Sequence, residues 1–414
     1  MSELFLYLFL ALCTLLLLKV IAKPELIYEY PYFIGFIFFI FIVPQAFIIY
    51  NQPHLVPLTV MTPLFLVCGL CVTMAILGFR FAPSVRISRL LDVSLNTKNL
   101  FNIAVVYMML GYLFFFLIRS HLSEMKTEMT QWSGVLTIYA LLFNFINIAF
   151  PLFLYLTLKK YSHRDLLCTL ISAIPTLYMI VAAGRRESTA LFVLTIALSF
   201  FYRYRIAPPK VLIIGAVVFA TLIIPATGDY RSVAAEKGPI EAIKSLDLKQ
   251  SFINYFKTGG ALLELGVAAR IIDSYLFHGE YTYGAGYWDN MVFRYIPGQI
   301  VGKDFKNSLM INKGSIKYKN GYRMYTGLTS TGVGDSFVEF GYFGCFFFFF
   351  LGGFFRDLWR SSLESSVPLV QTLYMVSMVQ GLLAVTHATI NFLPGIFFSF
   401  LCLKLVAVYA KVKG

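Results

Sequence analysis

The chain has 414 residues, of which 58% are hydrophobic, 17% are aromatic and only 13% are charged, and its mean hydropathy is +0.74. These values lie far outside the soluble globular range and predict a membrane protein that crosses the bilayer several times. The formal net charge is +13. Such a charge can indicate nucleic-acid binding or basic loops on the cytoplasmic side of a membrane.

Apolar runs of the length needed to cross the hydrocarbon layer predict an all-α polytopic bundle with about eleven transmembrane helices. The first run follows no basic residue and precedes no small-residue cleavage site, so we expect a retained helix and not a secretion signal. The predicted spans are Leu4–Ile21, Tyr32–Tyr50, Leu55–Gly78, Leu100–Ile118, Gly134–Leu158, Leu166–Ala183, Ser188–Tyr202, Val211–Ala226, Gly334–Phe355, Val367–Thr386 and Thr389–Tyr409.

The distribution of lysines and arginines predicts the orientation, because short basic loops stay in the cytoplasm. One set of alternate loops carries fifteen basic residues, and the other set carries four. This places the N-terminus outside and the C-terminus inside, and it explains much of the net charge without nucleic acid. All six cysteines lie in apolar runs, so no extracellular disulfide framework is predicted. The CxxC of Cys68 and Cys71 is interpreted as packing.

A long polar stretch from Thr227 to Thr331 divides the chain. We predict a bundle of about eight helices at 1–226, a large outer loop at 227–333 and about three further spans at 334–414. Apolar residues at helical spacing from Ile240 to Phe277, interrupted by Gly259-Gly260, predict two amphipathic helices on the membrane surface. The alternative is an ordinary loop domain that caps the bundle.

The turn Gly184-Arg185-Arg186-Glu187 is the sharpest local signal, because two arginines stand in a minimal turn on the outer face. Charge at membrane depth is costly, so such residues usually face a pathway or a ligand. The alternative is a surface turn in which Glu187 neutralises one arginine. Guanidinium groups hold phosphate through paired charge-assisted hydrogen bonds. The outer arginines that could together neutralise a diphosphate are Arg185, Arg186, Arg231, Arg270 and Arg294.

No DxD motif and no His or Cys cluster of metal-ligand spacing occurs in the outer parts, so we expect metal-free chemistry without a cofactor. Asp335 and Glu339 lie one helical turn apart and His387 stands in another outer turn, so these three are the candidate catalytic bases. Each has a structural alternative: Asp335 as a helix cap, and His387 as a hydrogen-bonded residue at a helix end. Aromatic rings suited to sugars are those of Tyr230, Tyr283, Tyr287 and Trp288.

Three segments resemble the Wzy-type polymerases of bacterial surface polysaccharides, including O-antigen. The stretch from Thr331 to Gly344, followed by an apolar helix and Gly352-Gly353, looks like their late signature. The turn at Gly184-Arg185-Arg186-Glu187 resembles their arginine turn, and Tyr283-Gly-Ala-Gly-Tyr287 before Ile296-Pro297 resembles their glycine-proline segment. The plan of many spans with one large outer loop before the last three is also similar.

The resemblance implies a GT-C-like membrane bundle in the bacterial cytoplasmic membrane, with its active site facing the periplasm. Such enzymes transfer a glycan from undecaprenyl diphosphate onto the terminal sugar of another lipid-linked repeat unit. The implied partners are undecaprenyl-diphosphate-linked oligosaccharide and membrane lipids, and no nucleic acid. Whether a chain-length regulator protein also binds is left open by the sequence.

Three other functions compete with this interpretation. An O-antigen ligase would share the plan and need a histidine in the outer loop, where His278 is the candidate. A flippase or other transporter of the lipid-linked unit predicts charges along the middle of the spans. A transferase that uses a monosaccharide donor predicts an acidic pair in the first outer loop, but Asn51 to His54 holds no acid.

Overall fold

The computed structural model describes residues 1–84, 87–120, 135–258, 263–311, 329–364 and 367–412. These ranges are helical apart from turns and one isolated β-bridge between Leu95 and Lys411. The predicted break at Gly259-Gly260 lies outside them, and so does Lys126, one of the four basic residues counted in the second set of loops. In chain order the helices before the polar stretch and at its start are α1 Ser2–Ala22, α2 Tyr30–Asn51, α3 Leu58–Phe81, α4 Thr97–Ser120, α5 Val135–Lys159, α6 His163–Val181, α7 Arg186–Tyr204 and α8 Lys210–Lys237.

The remaining described helices belong to the polar stretch and the C-terminal part. They are α9 Pro239–Ser245, α10 Leu248–Thr258, α11 Glu264–His278, α12 Ala285–Tyr295, α13 Gly298–Val301, α14 Lys303–Ser308, α15 Thr331–Phe340, α16 Phe346–Glu364, α17 Pro368–Thr386 and α18 Phe392–Ala410.

Ten helical stretches within the described ranges are long and apolar enough to cross a membrane, so the prediction of a polytopic helical bundle is confirmed. They match ten of the eleven predicted spans, with α15 and α16 forming one continuous stretch. The one predicted span without a match is Ser188–Tyr202, which lies within α7. This helix carries Arg186, Glu187 and Arg203 at its ends and is not among the ten. α8 continues three turns beyond its predicted end at Ala226.

The helices of the polar stretch differ from the prediction of two helices on the membrane surface. Three helices occupy this region, and α11 lies inside the bundle, where Leu265, Ala268 and Ile271 are fully buried. The surface prediction is therefore wrong for α11. The physical reason is that α15 and α3 cover its apolar face.

The centre of the bundle is α17, whereas α8 lies at its edge: 89% of the membrane window of α17 is buried, against 17% for α8. The tightest crossing joins α3 and α16. Side chains added at Gly78 or Gly352 would collide with the backbone of the opposing helix, so glycine permits the close approach that membrane helices use in place of a hydrophobic driving force.

Candidate functional site

The arginine turn is held in place by α8. After α6 the backbone turns at Gly184 with a φ of 56°, a conformation that glycine adopts without a steric penalty. A Cβ added to Gly184 would lie 2.9 Å from the ring of Tyr230, whose hydroxyl donates to the last carbonyl of α6. Arg231 donates two hydrogen bonds to the Gly184 carbonyl, at 3.0 and 3.2 Å. α8 thereby brings a third arginine to the turn.

Arg186, the first residue of α7, faces α2 and α11. Its guanidinium lies 3.8 Å from Glu264 Oε1 and 5.4 Å from the centre of the Phe41 ring. Gln45 is fully buried and fixes the carboxylate. Its Nε2 donates to Glu264 Oε2 at 3.4 Å, and its Oε1 accepts a hydrogen bond from the backbone N–H of Leu265 at 2.9 Å. The carboxylate that pairs with Arg186 is therefore Glu264, and the long pair leaves 35% of the Arg186 side chain exposed.

A π-helical turn in α2 shapes this contact. The turn spans Phe38–Ile42 and is followed by Pro44, which has no N–H to donate to the preceding turn. Single π-helical turns inside α-helices are frequent at functional sites. Here the turn carries Phe41, and Gln45 follows within one helical turn.

His387 lies in the turn between α17 and α18 and is half-buried. Its Nδ1 is 2.9 Å from Thr386 Oγ1. Burial is the main cause that lowers the pKa of His387 to about 4, and the positive charges of four arginines add to it. These arginines are Arg186, Arg231, Arg294 and Arg185. The imidazole is therefore neutral at pH 7, and it lies in a positive field.

A chain of hydrogen bonds links α15 and α12 to the turn that carries His387. Asp335 Oδ2 accepts two hydrogen bonds, one from the hydroxyl of Thr389 and one from the backbone N–H of Ile390 at 3.3 Å. Since a hydroxyl has one proton to give, Thr389 accepts from the Tyr287 hydroxyl at 2.7 Å. Beside it, Arg294 Nη1 donates to the side-chain oxygen of Asn391. Arg294, Asp335 and Tyr287 thus meet at the turn that carries His387.

Glu339 has a different role from Asp335, although the two lie one helical turn apart. Its side chain is buried, and Oε2 accepts hydrogen bonds from Thr282 Oγ1 at 2.6 Å and from the N–H of Gly284 at 2.9 Å. A Cβ on Gly286 would overlap Oε1. Glu339 therefore anchors the glycine-rich loop before α12.

The charges of both carboxylates, Asp335 and Glu339, affect the pKa of Tyr287, which lies at the start of α12. Burial raises the pKa of its phenol well above the usual value, and the charges of Asp335 and then Glu339 raise it further. The phenol consequently stays protonated and acts as a hydrogen-bond donor.

The other predicted ligand residues lie further along the same end of the bundle. Arg270 Nη2 donates to the Leu55 carbonyl at 3.0 Å, beside the loop that joins α2 to α3. Tyr283 is 72% exposed and has a φ of 50°. Trp288 is also exposed, and its Nε1 donates to the Leu309 carbonyl at 2.8 Å. Both rings are accessible near the loop that Glu339 anchors.

Four polar residues of the site were not singled out from the sequence: Gln45, Glu264, Thr389 and Asn391. Thr389 and Asn391 stand in the same short turn as His387. Gln45 offered a signal, because an amide inside an otherwise apolar predicted span needs a buried partner. Glu264 offered none, because its partners come from α2 and α7, far away in the sequence.

Comparisons with known protein families, with curated proteins and with solved structures find no match for this chain.

Proposed function

We propose that the chain is a glycosyltransferase that polymerises lipid-linked oligosaccharide repeat units, with polyprenyl diphosphate as the leaving group. The observation that carries the proposal is the arginine turn, where Arg231 of α8 donates to the Gly184 carbonyl next to Arg185 and Arg186. The charges of these three arginines and of Arg294 also act on His387. Arginines concentrated beside a neutral base fit a reaction in which a diphosphate departs and an acceptor hydroxyl loses its proton.

The diphosphate would be bound by the arginine turn. Cations at a helix N-terminus are unfavourable beside the positive end of the helix dipole, yet Arg186 stands at the first position of α7. The same dipole favours an anionic ligand, as do guanidinium groups with exposed nitrogens. A fixed set of such donors, positioned before the reaction, stabilises negative charge that develops on a leaving group.

In the proposed reaction, the acceptor hydroxyl oxygen attacks the anomeric carbon of the donor sugar. A bond forms between this oxygen and the anomeric carbon, and the bond from that carbon to the diphosphate oxygen breaks. His387 takes the acceptor proton, and the polyprenyl diphosphate leaves with the electron pair. Bound diphosphate offsets the arginine charges, so it raises the pKa of His387 toward its ordinary value and makes the imidazole a stronger base.

The polar neighbours would orient the two sugars. Asp335 holds Thr389 and, through it, Tyr287, while Glu339 fixes the loop that carries the exposed ring of Tyr283. Aromatic faces with a polar handle suit sugar rings. The expected substrate is an undecaprenyl-diphosphate-linked oligosaccharide, the expected architecture is GT-C-like, and the expected location of the reaction is the outer face of the bacterial cytoplasmic membrane.

The test is the glycan ladder from native-host cells that carry Arg186→Ala, compared with wild type and a deletion at equal expression. We expect the variant to give single repeat units attached to their final anchor. Single units that accumulate on the polyprenyl carrier would instead favour a ligase or a transporter. A ladder of normal length would show that the arginine turn has only a structural role.

Two further variants separate charge from folding. Arg186→Lys keeps the charge but loses the planar fork, so a folded protein with short chains supports a role in binding phosphate. Arg80→Ala is the matched control, because Arg80 is an exposed arginine at the opposite end of the bundle. Its ladder should equal that of wild type.

A further inference from the structure

A cavity with a partly polar lining lies between α5, α7 and α17, at the end of the bundle away from His387. Its volume is about 300 Å³, at the lower end of the ~300–1,000 Å³ that small-molecule pockets occupy. α7 begins at Arg186 and reaches the cavity with its last turn, and α17 begins at the cavity and ends beside His387. A full helix length therefore separates this cavity from the proposed active site.

Two cations line the cavity. Lys159 stands in the last turn of α5 and Arg203 in the last turn of α7, and both are exposed. Within the described ranges neither belongs to an ion pair, and no aspartate or glutamate lines the cavity. The cavity is consequently positive and open to an anion.

A buried hydroxyl supplies a second, independent observation. Thr372 is completely buried and lines the cavity, and its Oγ1 has no hydrogen-bond partner in the structure. A buried hydroxyl without a partner on a cavity wall is a group that a ligand oxygen can satisfy. Ser199 and Tyr202 line the same cavity, and their hydroxyls donate to Met375 Sδ and Ser362 Oγ.

We infer that this cavity binds an anionic phosphate group, and that in the membrane this group is the headgroup of an acidic glycerophospholipid. The apolar part of the lining, Leu158 and Met375, continues from the polar part. Beside Arg203, the side chains of Phe200 and Tyr204 are exposed on α7 and offer apolar surface to acyl chains. Basic pockets between membrane helices bind acidic lipid headgroups in this way. The inference does not depend on the proposed activity.

The test titrates detergent-solubilised full-length protein with phosphatidylglycerol and counts bound lipids by native mass spectrometry. We compare wild type with the double variant Lys159→Gln/Arg203→Gln. Each basic residue near a membrane surface contributes about fivefold in affinity for acidic lipid, so the first phosphatidylglycerol should bind the double variant roughly 25-fold more weakly. Phosphatidylcholine, which has no net charge, should bind both proteins alike.

Matched controls decide between this cavity and general surface charge. Lys210→Gln/Lys411→Gln removes two basic residues of the same predicted face that do not line the cavity, and phosphatidylglycerol affinity should stay within twofold of wild type. Equal losses in both double variants, or no loss in the first, would overturn the inference.

A third variant and a competitor complete the test. Thr372→Val removes the orphan hydroxyl but keeps the shape of the side chain, so the protein should fold as well as wild type and bind phosphatidylglycerol several-fold more weakly. Unchanged binding would contradict the role of Thr372. If millimolar inorganic phosphate displaces phosphatidylglycerol fully, the site takes free anion and the lipid assignment fails.

Discussion

Arg231 uses two guanidinium nitrogens to hold the Gly184 carbonyl, and lysine cannot reproduce this contact. Arg231→Lys keeps the positive charge beside Arg186 but loosens the turn that positions it. Lysine can keep one of the two hydrogen bonds, and the lost one is worth about 1 kcal/mol, so we expect a rate of chain extension about fivefold below wild type. The measurement is the rate of ladder growth in isolated membranes. A wild-type rate would show that charge alone suffices at this position.

The low pKa of His387 gives stability a defined pH dependence. Protonation is less favourable in the folded chain, where the pKa is about 4, than in the unfolded chain, where it is near the ordinary value of about 6.5. The contribution of neutral His387 is therefore fully present above about pH 6.5 and is lost as the pH falls toward 4.

This dependence can be measured as Tm against pH for the purified protein. We expect His387→Gln to flatten the curve between about pH 6.5 and 4, since glutamine does not titrate there. Inorganic diphosphate should also flatten the wild-type curve, because it offsets the arginines that depress the pKa. Parallel curves for wild type and variant would contradict this account. His278→Gln is the control, because His278 is exposed on the end of α11.

Glu339 is predicted to matter through position. Glu339→Ala removes the acceptor of the Gly284 N–H and one of the two acceptors of the Thr282 hydroxyl, which keeps the Val338 carbonyl at 3.2 Å, and each lost hydrogen bond costs about 1 kcal/mol. We expect a Tm several degrees below wild type and faster proteolysis of the loop before α12. Thr282→Ala removes one donor and should give a smaller loss. Cleavage of the loop at the wild-type rate in Glu339→Ala would contradict the role of Glu339 as an anchor.

At the scale of helices, the crossing of α3 and α16 depends on backbone contact. Gly352→Val places a branched side chain against the backbone at Ala75, and overpacking of this kind typically costs about 1–3 kcal/mol. We expect a lower Tm and a shorter half-life at elevated temperature. Gly215→Ala in α8 is the control, because a Cβ there meets nothing within 4 Å. Equal stability of the two variants would contradict the close crossing.

Single helices also show what the sequence can and cannot predict. Runs such as Thr389–Tyr409 identify spans well, because length and hydrophobicity alone decide whether a segment can enter lipid. The location of α11 could not be predicted in this way, because an apolar helix face can pack equally well against lipid and against protein. Only contact with α15 and α3 settles it. Likewise, Arg186 could be selected from its turn, whereas its partner Glu264 could not.

For the whole molecule, the orientation in the membrane stays a prediction from fifteen basic residues against four. Among the natural cysteines, Cys168 is half-buried and the other five are buried, so background labelling should be low. We expect an impermeant maleimide to label Ser232→Cys from outside intact cells, and Ser94→Cys only after the membrane is opened. Both positions are exposed. The reverse pattern would invert the bundle and place the arginine turn in the cytoplasm.

The site draws on residues that enter the membrane at different times. Arg185, Arg186 and Arg231 flank the helices that are synthesised midway, whereas Arg294 and His387 follow much later, and His387 precedes the last helix. A nascent chain therefore exposes a cluster of arginines before its histidine has left the ribosome. Under the proposed function, the unfinished chain would have the arginines that bind the diphosphate before it has the base His387, so activity would begin only after α17 and α18 have been inserted.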